Sequence, residues 1–153
     1  MKDDGQLFDL DAFTPYRMVV LGHLMSEELG AAYAGEGLSI PEWRVLAVVS
    51  QARAVAARDV AARTPMDKMA VSRAVASLEK KDWIRRSPTA DRRVNALELT
   101  DAGRAVFDRV ARLALDFEQR ILNAFPSDKA EGFFEALAIL ETALGRSHAE
   151  AAE

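Results

Sequence analysis

The chain has 153 residues, enough to bury a core in one domain, and its balance of about half hydrophobic and 29% charged residues is that of an ordinary globular protein. No run of about 18 apolar residues is present, which argues against a membrane span, and the acidic start MKDDGQLFDLDAF lacks the basic and apolar blocks of a signal peptide, so a cytoplasmic location is expected. Cysteine is absent, which excludes disulfides, thiolate metal sites, a cysteine nucleophile and a thiol redox sensor.

The first helix is expected to open at Thr14 as N-cap with Pro15 in its first turn. Val20, Leu21, Leu24, Met25 and Leu29 then recur at helical spacing until the glycines after Ala34 end it. Ser39 and Glu42 have the spacing of a capping box and start a second helix carrying Trp43, Leu46 and Val49. A short helix, ARDVAART, follows. The connection TPMD then leads to Asp67, which can cap a helix running to about Lys81. WIRRS and the segment ending at Leu99 read as two strands around a turn at 88–92. Thr100 caps a long helix with Val106, Val110, Leu113, Phe117 and Ile121 on one face. After the break at Pro126, Ser127 starts a last helix with Phe133, Leu137, Leu140 and Leu144.

Two helices joined by a tight turn and followed by a hairpin have the layout of a winged helix-turn-helix. The expected fold is mainly α with a small β-hairpin wing, in one domain over 1–153. The winged part falls at about 54–100, between helical segments at about 10–34 and 101–150. Charge supports this independently. The net charge is −4, yet residues 58–104 hold eleven Lys and Arg against seven Asp and Glu, while the rest hold nine against seventeen. That pattern is the local footprint of a nucleic-acid reader.

On the helix after Asp67, Val71, Val75 and Leu78 with Ala74 form a face to bury, and the other side presents Met69, Arg73, Ala76 and Lys80. Small residues such as Ala70, Ser72 and Ser77 allow close approach to a groove floor. Arg73 and Ser72 can reach base edges or phosphate, and Lys68, Lys80 and Lys81 suit phosphates. At the hairpin tip Asp91 can orient a neighbouring guanidinium, so that Arg93 enters a narrow minor groove while Arg92 faces phosphate. Asp67 and the strand residue Arg86 complete the DNA-binding set. His23, amid apolar residues, reads as an interface or core histidine. No paired carboxylates, nucleophile–base set or phosphate-cradling loop stands out, so no enzyme, cofactor or metal site is expected. A protein-interaction winged-helix module, antirepressor-like and without operator binding, is the alternative; the basic middle segment favours DNA.

The segments LSIPEWRVLAVVS and DVAARTPMDKMAVSRAVASLEKKDWIRRSPTADRRVNALELTDAGR resemble the multiple-antibiotic-resistance regulator (MarR) family of transcription factors. Asp91 and Arg93 match the family's Asp-x-Arg wing signature. The resemblance implies a homodimer built by the first and last helices, with recognition helices in successive major grooves and wings in the flanking minor grooves. It also implies repression relieved by a small anionic or aromatic effector, for which Arg17, His23 and Arg44 are candidate contacts. Asp82 stands where the family usually has Gly, which bears on how the chain leaves the recognition helix.

Overall fold

A computed structural model describes residues 8–88, 95–126 and 128–145. Among them the order is α1 (Thr14–Ala34), α2 (Ile40–Ser50), β1 (Val55–Ala56), α3 (Ala57–Arg63), α4 (Lys68–Lys80), β2 (Ile84–Pro88), β3 (Asn95–Leu99), α5 (Asp101–Leu122) and α6 (Ala130–Ala143). This is the expected mainly helical winged architecture, with one antiparallel sheet in the order β1-β3-β2. The chain divides into two compact units between Leu113 and Ala114, and α5 contributes to both.

Local signals explain most of the boundaries. The capping box of α2 is complete: the Ser39 N–H donates to Glu42 Oε2 at 2.8 Å, and the Glu42 N–H donates back to Ser39 Oγ at 3.4 Å. Asp67 Oδ1 accepts from the Ala70 N–H at 2.7 Å and starts α4. The cap of α1 differs from expectation by one residue. Thr14 is already helical, Phe13 is the N-cap, and no side chain bonds the helix end; the nearby Asp9 carboxylate accepts from Asp11 N–H at 3.0 Å instead. The start of α6 also moves, to an N-cap at Lys129, and Ser127 lies outside the described residues.

The core of the first unit joins α2, α3, α4, the sheet and the start of α5. Val45, Leu46 and Val49 meet Val60, Val71, Val75, Leu78, Ile84, Leu97 and Val110, all essentially sealed from solvent. Each such side chain contributes about 1.5–3 kcal/mol of hydrophobic transfer. Val71, Ala74, Val75 and Leu78 are the buried face of α4, as its periodicity predicts. β3 is the central strand, with Val55 opposite Leu97 on one side and Ile84 opposite Leu99 on the other. The sequence offers Val55–Ala56 only as a lead into α3, because two residues are too few to show alternation.

The exit from α4 fixes how the wing leaves it. Asp82 adopts φ +56°, with its N–H donating to Glu79 O and the Trp83 N–H donating to Leu78 O, both at 3.0 Å. This is a Schellman closure made with aspartate in the left-handed position that glycine usually fills. Thr100 Oγ1 donates to Asp82 O at 2.6 Å and accepts from the Gly103 N–H at 3.0 Å, which ties this turn to the start of α5. A Cβ on Gly103 would lie 1.8 Å from the Trp83 carbonyl oxygen, so the close approach of α5 requires glycine.

Two helices bury little. Tyr33 is the one buried residue of α1, whereas Val19 and Leu24 are 70% and 56% exposed. Within the second unit, α6 buries none of its residues fully, and Ile139 is 69% exposed.

Candidate nucleic-acid interface

α4 is held by its apolar face and presents the opposite side to solvent. Lys68, Met69, Ser72, Arg73, Ala76 and Lys80 are all exposed, and Met69 is 65% so. Arg73 makes no hydrogen bond or ion pair among the described residues. Asp67 is exposed but engaged as the N-cap, and Ala70 is half-buried above it. The structure thus brings Lys68, Met69, Ser72, Arg73 and Lys80 together on one accessible helix surface.

Ser77 and Lys81, on the edge of that surface toward α2, are already engaged. Ser77 Oγ donates to Glu42 Oε1 at 2.7 Å, and Lys81 Nζ donates to the same oxygen at 2.6 Å and to the Gly37 carbonyl at 2.7 Å. The ammonium also lies over the Trp83 ring, 5.0 Å from its centroid. Lys81 is therefore tied to α2 and is not one of the free cations that the sequence offers to phosphate. Glu42 is the buried charged residue at the centre, 5% exposed. Its burial opposes ionisation, but hydrogen bonds from Lys81, the Ser39 N–H, Ser77 and the Ser39 hydroxyl outweigh that and hold its carboxyl below the ordinary carboxylate range. The sequence shows Glu42 only as half of a capping box. The signal for the rest is the four-residue spacing of Ser77 and Lys81 on α4, which has no meaning until α2 is known to lie beside it.

An open groove of about 370 Å³ runs along this junction, lined by Ser39, Pro41, Glu42, Ala70, Arg73 and Lys81 among others. On the wing, Arg86 forms a forked pair with Glu79 of α4, at 2.8 and 3.3 Å, and Arg85 pairs across the strands with Glu98 at 3.2 Å. Arg86 is accessible, but its guanidinium is already engaged. The strands carry the chain out to Pro88 and back from Asn95, which are register partners. The tip residues Asp91, Arg92 and Arg93 lie outside the described residues.

Of the three candidate effector contacts, Arg17 alone lines one of the two grooves described here. Arg17 is exposed and lines an open groove of about 540 Å³ along α1 with Tyr16, Met18, Leu21 and Leu24. His23 is exposed rather than buried, with Nε2 3.3 Å from Glu27 Oε1 one turn on. Arg44 is half-buried and donates to Ser26 Oγ at 3.5 Å, joining α2 to α1. The aromatic anchor beside it is Trp43, stacked on Phe107 at 5.6 Å and packed on Tyr33 at 5.1 Å. Tyr33 has a buried hydroxyl with no hydrogen-bond partner among the described residues, and burial raises its pKa to about 12.

No group of His, Cys, Asp and Glu side chains among the described residues is arranged to hold a metal ion, and no described helix is long and apolar enough to cross a membrane.

Residues 36–93 match the sequence model of the MarR family. The fold is similar to that of a MarR/EmrR family transcriptional regulator from Acinetobacter sp. ADP1, with a TM-score of 0.81 and 25% identity over 92% of this chain and all of the other. It is also similar to a MarR family transcriptional regulator from Silicibacter pomeroyi DSS-3, with a TM-score of 0.74 and 26% identity over 87% of this chain and 98% of that one. A third likeness is to a MarR family protein of Mycobacterium tuberculosis solved in complex with p-aminosalicylic acid. Here the TM-score is 0.71 at 23% identity, covering 84% of this chain and 98% of the other. No curated protein sequence matches significantly.

Proposed function

We propose that this chain is a MarR-family transcriptional regulator, a non-enzymatic, sequence-specific DNA-binding repressor acting as a homodimer. The observation that carries the reading is the exposed face of α4. Arg73, without a partner among the described residues, stands among small and basic residues there, on a helix whose other face is sealed into the core. An α-helix fits the major groove, small side chains allow close approach, and an unpaired guanidinium can form a bidentate contact with guanine. Lys68 and Lys80 flank it and suit phosphates, which position the protein without reading sequence.

The dimer is supported by the apolar side chains that α1 and α6 each leave exposed, because surfaces of this kind are usually covered by a partner. Two-fold symmetry would set two copies of α4 on half-sites about 10–10.5 base pairs apart. At the wing tip, Arg93 enters the minor groove with Asp91 orienting it, and Arg92 meets phosphate. Arg93 would favour narrow A·T-rich flanks. The effector is a small anionic or aromatic molecule that binds one dimer conformation better than the other, with Arg17, His23 and Arg44 as candidate contacts. The Mycobacterium tuberculosis relative with p-aminosalicylic acid bound supports that class.

Selecting binders from a pool of random duplexes with the purified protein tests the reading. Enrichment of one pseudo-palindromic sequence is expected. Uniform retention of all sequences, or none, would contradict it and favour a protein-binding module.

A further inference from the structure

Resting on the reading of α4 as the DNA-reading helix, we infer that Glu42 is a specificity-determining positioning residue. From α2 it sets the rotation of α4 about its axis, and with it the aim of Arg73. Arg73, Ser77 and Lys81 follow one another at four-residue intervals and so lie along one stripe. The two C-terminal members of that stripe are tied to a single oxygen, Glu42 Oε1, at 2.7 and 2.6 Å. The other oxygen is fixed from the opposite side by the Ser39 N–H at 2.8 Å and the Ser39 hydroxyl at 3.0 Å. The anchor is buried, ionised and held by charge-assisted bonds, so it gives little in any direction. The N-terminal member, Arg73, lines the same groove and has no partner among the described residues.

Hydrophobic packing of Val71, Val75 and Leu78 holds α4 against the core, but apolar contact is non-directional and tolerates small rotations. A rotation of about 20° moves an atom about 6 Å from the helix axis through about 2 Å, enough to break a bidentate pair with a base edge. Phosphate contacts from long lysine side chains absorb such a shift. Loss of the Glu42 tether therefore lowers discrimination between sequences and leaves sequence-independent affinity almost unchanged.

The test measures affinity of the full-length protein for the duplex it selects from a random pool and for a scrambled duplex of the same length and composition. Glu42→Gln and Lys81→Met are each compared with wild type. Each variant is expected to lower the ratio of the two affinities about tenfold, the cost of misplacing one base-reading contact, with scrambled-DNA affinity within about twofold. A merely structural role cannot produce this, because a smaller folded fraction weakens both bindings equally and leaves the ratio unchanged. Should Glu42→Gln not fold, Lys81→Met decides alone, since it removes one tether and keeps the α2 cap. An unchanged ratio in a folded variant overturns the inference while the DNA-reading assignment stands. A wild-type protein that does not distinguish the duplexes overturns the assignment and the inference with it.

Discussion

α4 and α1 both carry many apolar side chains, but they cover them differently. α4 buries Val71, Ala74, Val75 and Leu78 against its own unit and leaves its polar side open. α1 is longer, yet buries only Tyr33 and exposes Val19, Val20, Leu21 and Leu24. A helix fixed by its own chain can present side chains at defined positions before any ligand arrives, which reading a base edge demands. A helix that leaves its apolar side chains uncovered offers them to a second surface. Substitutions in the two helices should therefore register in different measurements.

The largest effect is expected in the core behind α4. Leu78→Ala removes a fully buried side chain and should destabilise the fold by about 2–5 kcal/mol in chemical denaturation. Next is the acid limb of the stability profile. Glu42 has its folded pKa lowered relative to the unfolded chain, so its contribution is complete above the ordinary carboxylate value of 4.5 and is lost as pH falls through the lower folded value. Glu42→Gln should be less stable at neutral pH and should show a flatter acid limb than wild type in melting curves taken from pH 7 downward. Asp67→Ala, which removes the cap of α4, should cost about 1 kcal/mol by the same denaturation assay.

These three substitutions also show what the sequence discloses. The apolar period of α4 and the Asp67 cap are local patterns of a few residues, and both are legible without a structure. So is the winged order of elements, because most of its boundaries carry their own signals, such as Thr100 or the Ser39–Glu42 pair. Asp82 is recognisable as a departure from glycine; that it takes the left-handed conformation at φ +56° depends on the closure around Leu78 and Glu79. What escapes is pairing between segments far apart in the chain. Lys81 reads as a surface cation until α2 brings Glu42 within 2.6 Å. Arg86 reads as a free wing arginine until the turn at Asp82 folds it back on Glu79. The sequence leaves His23 as core or interface because apolar neighbours on a helix look the same whether or not the chain itself covers them; here it is exposed and not in the core.

The smallest effect on folding, and the sharpest contrast with α4, is expected in α1. Leu24→Ser changes a side chain that is already 56% exposed and should alter the stability of the isolated chain by less than about 0.5 kcal/mol. In sedimentation at micromolar concentration, the same substitution should shift the protein from dimer toward monomer. A variant that keeps the dimer and loses stability as Leu78→Ala does would erase the distinction between the helices.

The most direct test of α4 as the reading surface is the binding of Arg73→Ala to the selected duplex and to its scrambled counterpart at one salt concentration. The variant should lose about 1–3 kcal/mol on the selected duplex, relax preference at the base pairs Arg73 contacts, and change little on scrambled DNA. Equal losses on both duplexes would make Arg73 a phosphate contact. No loss on either would remove α4 from the interface.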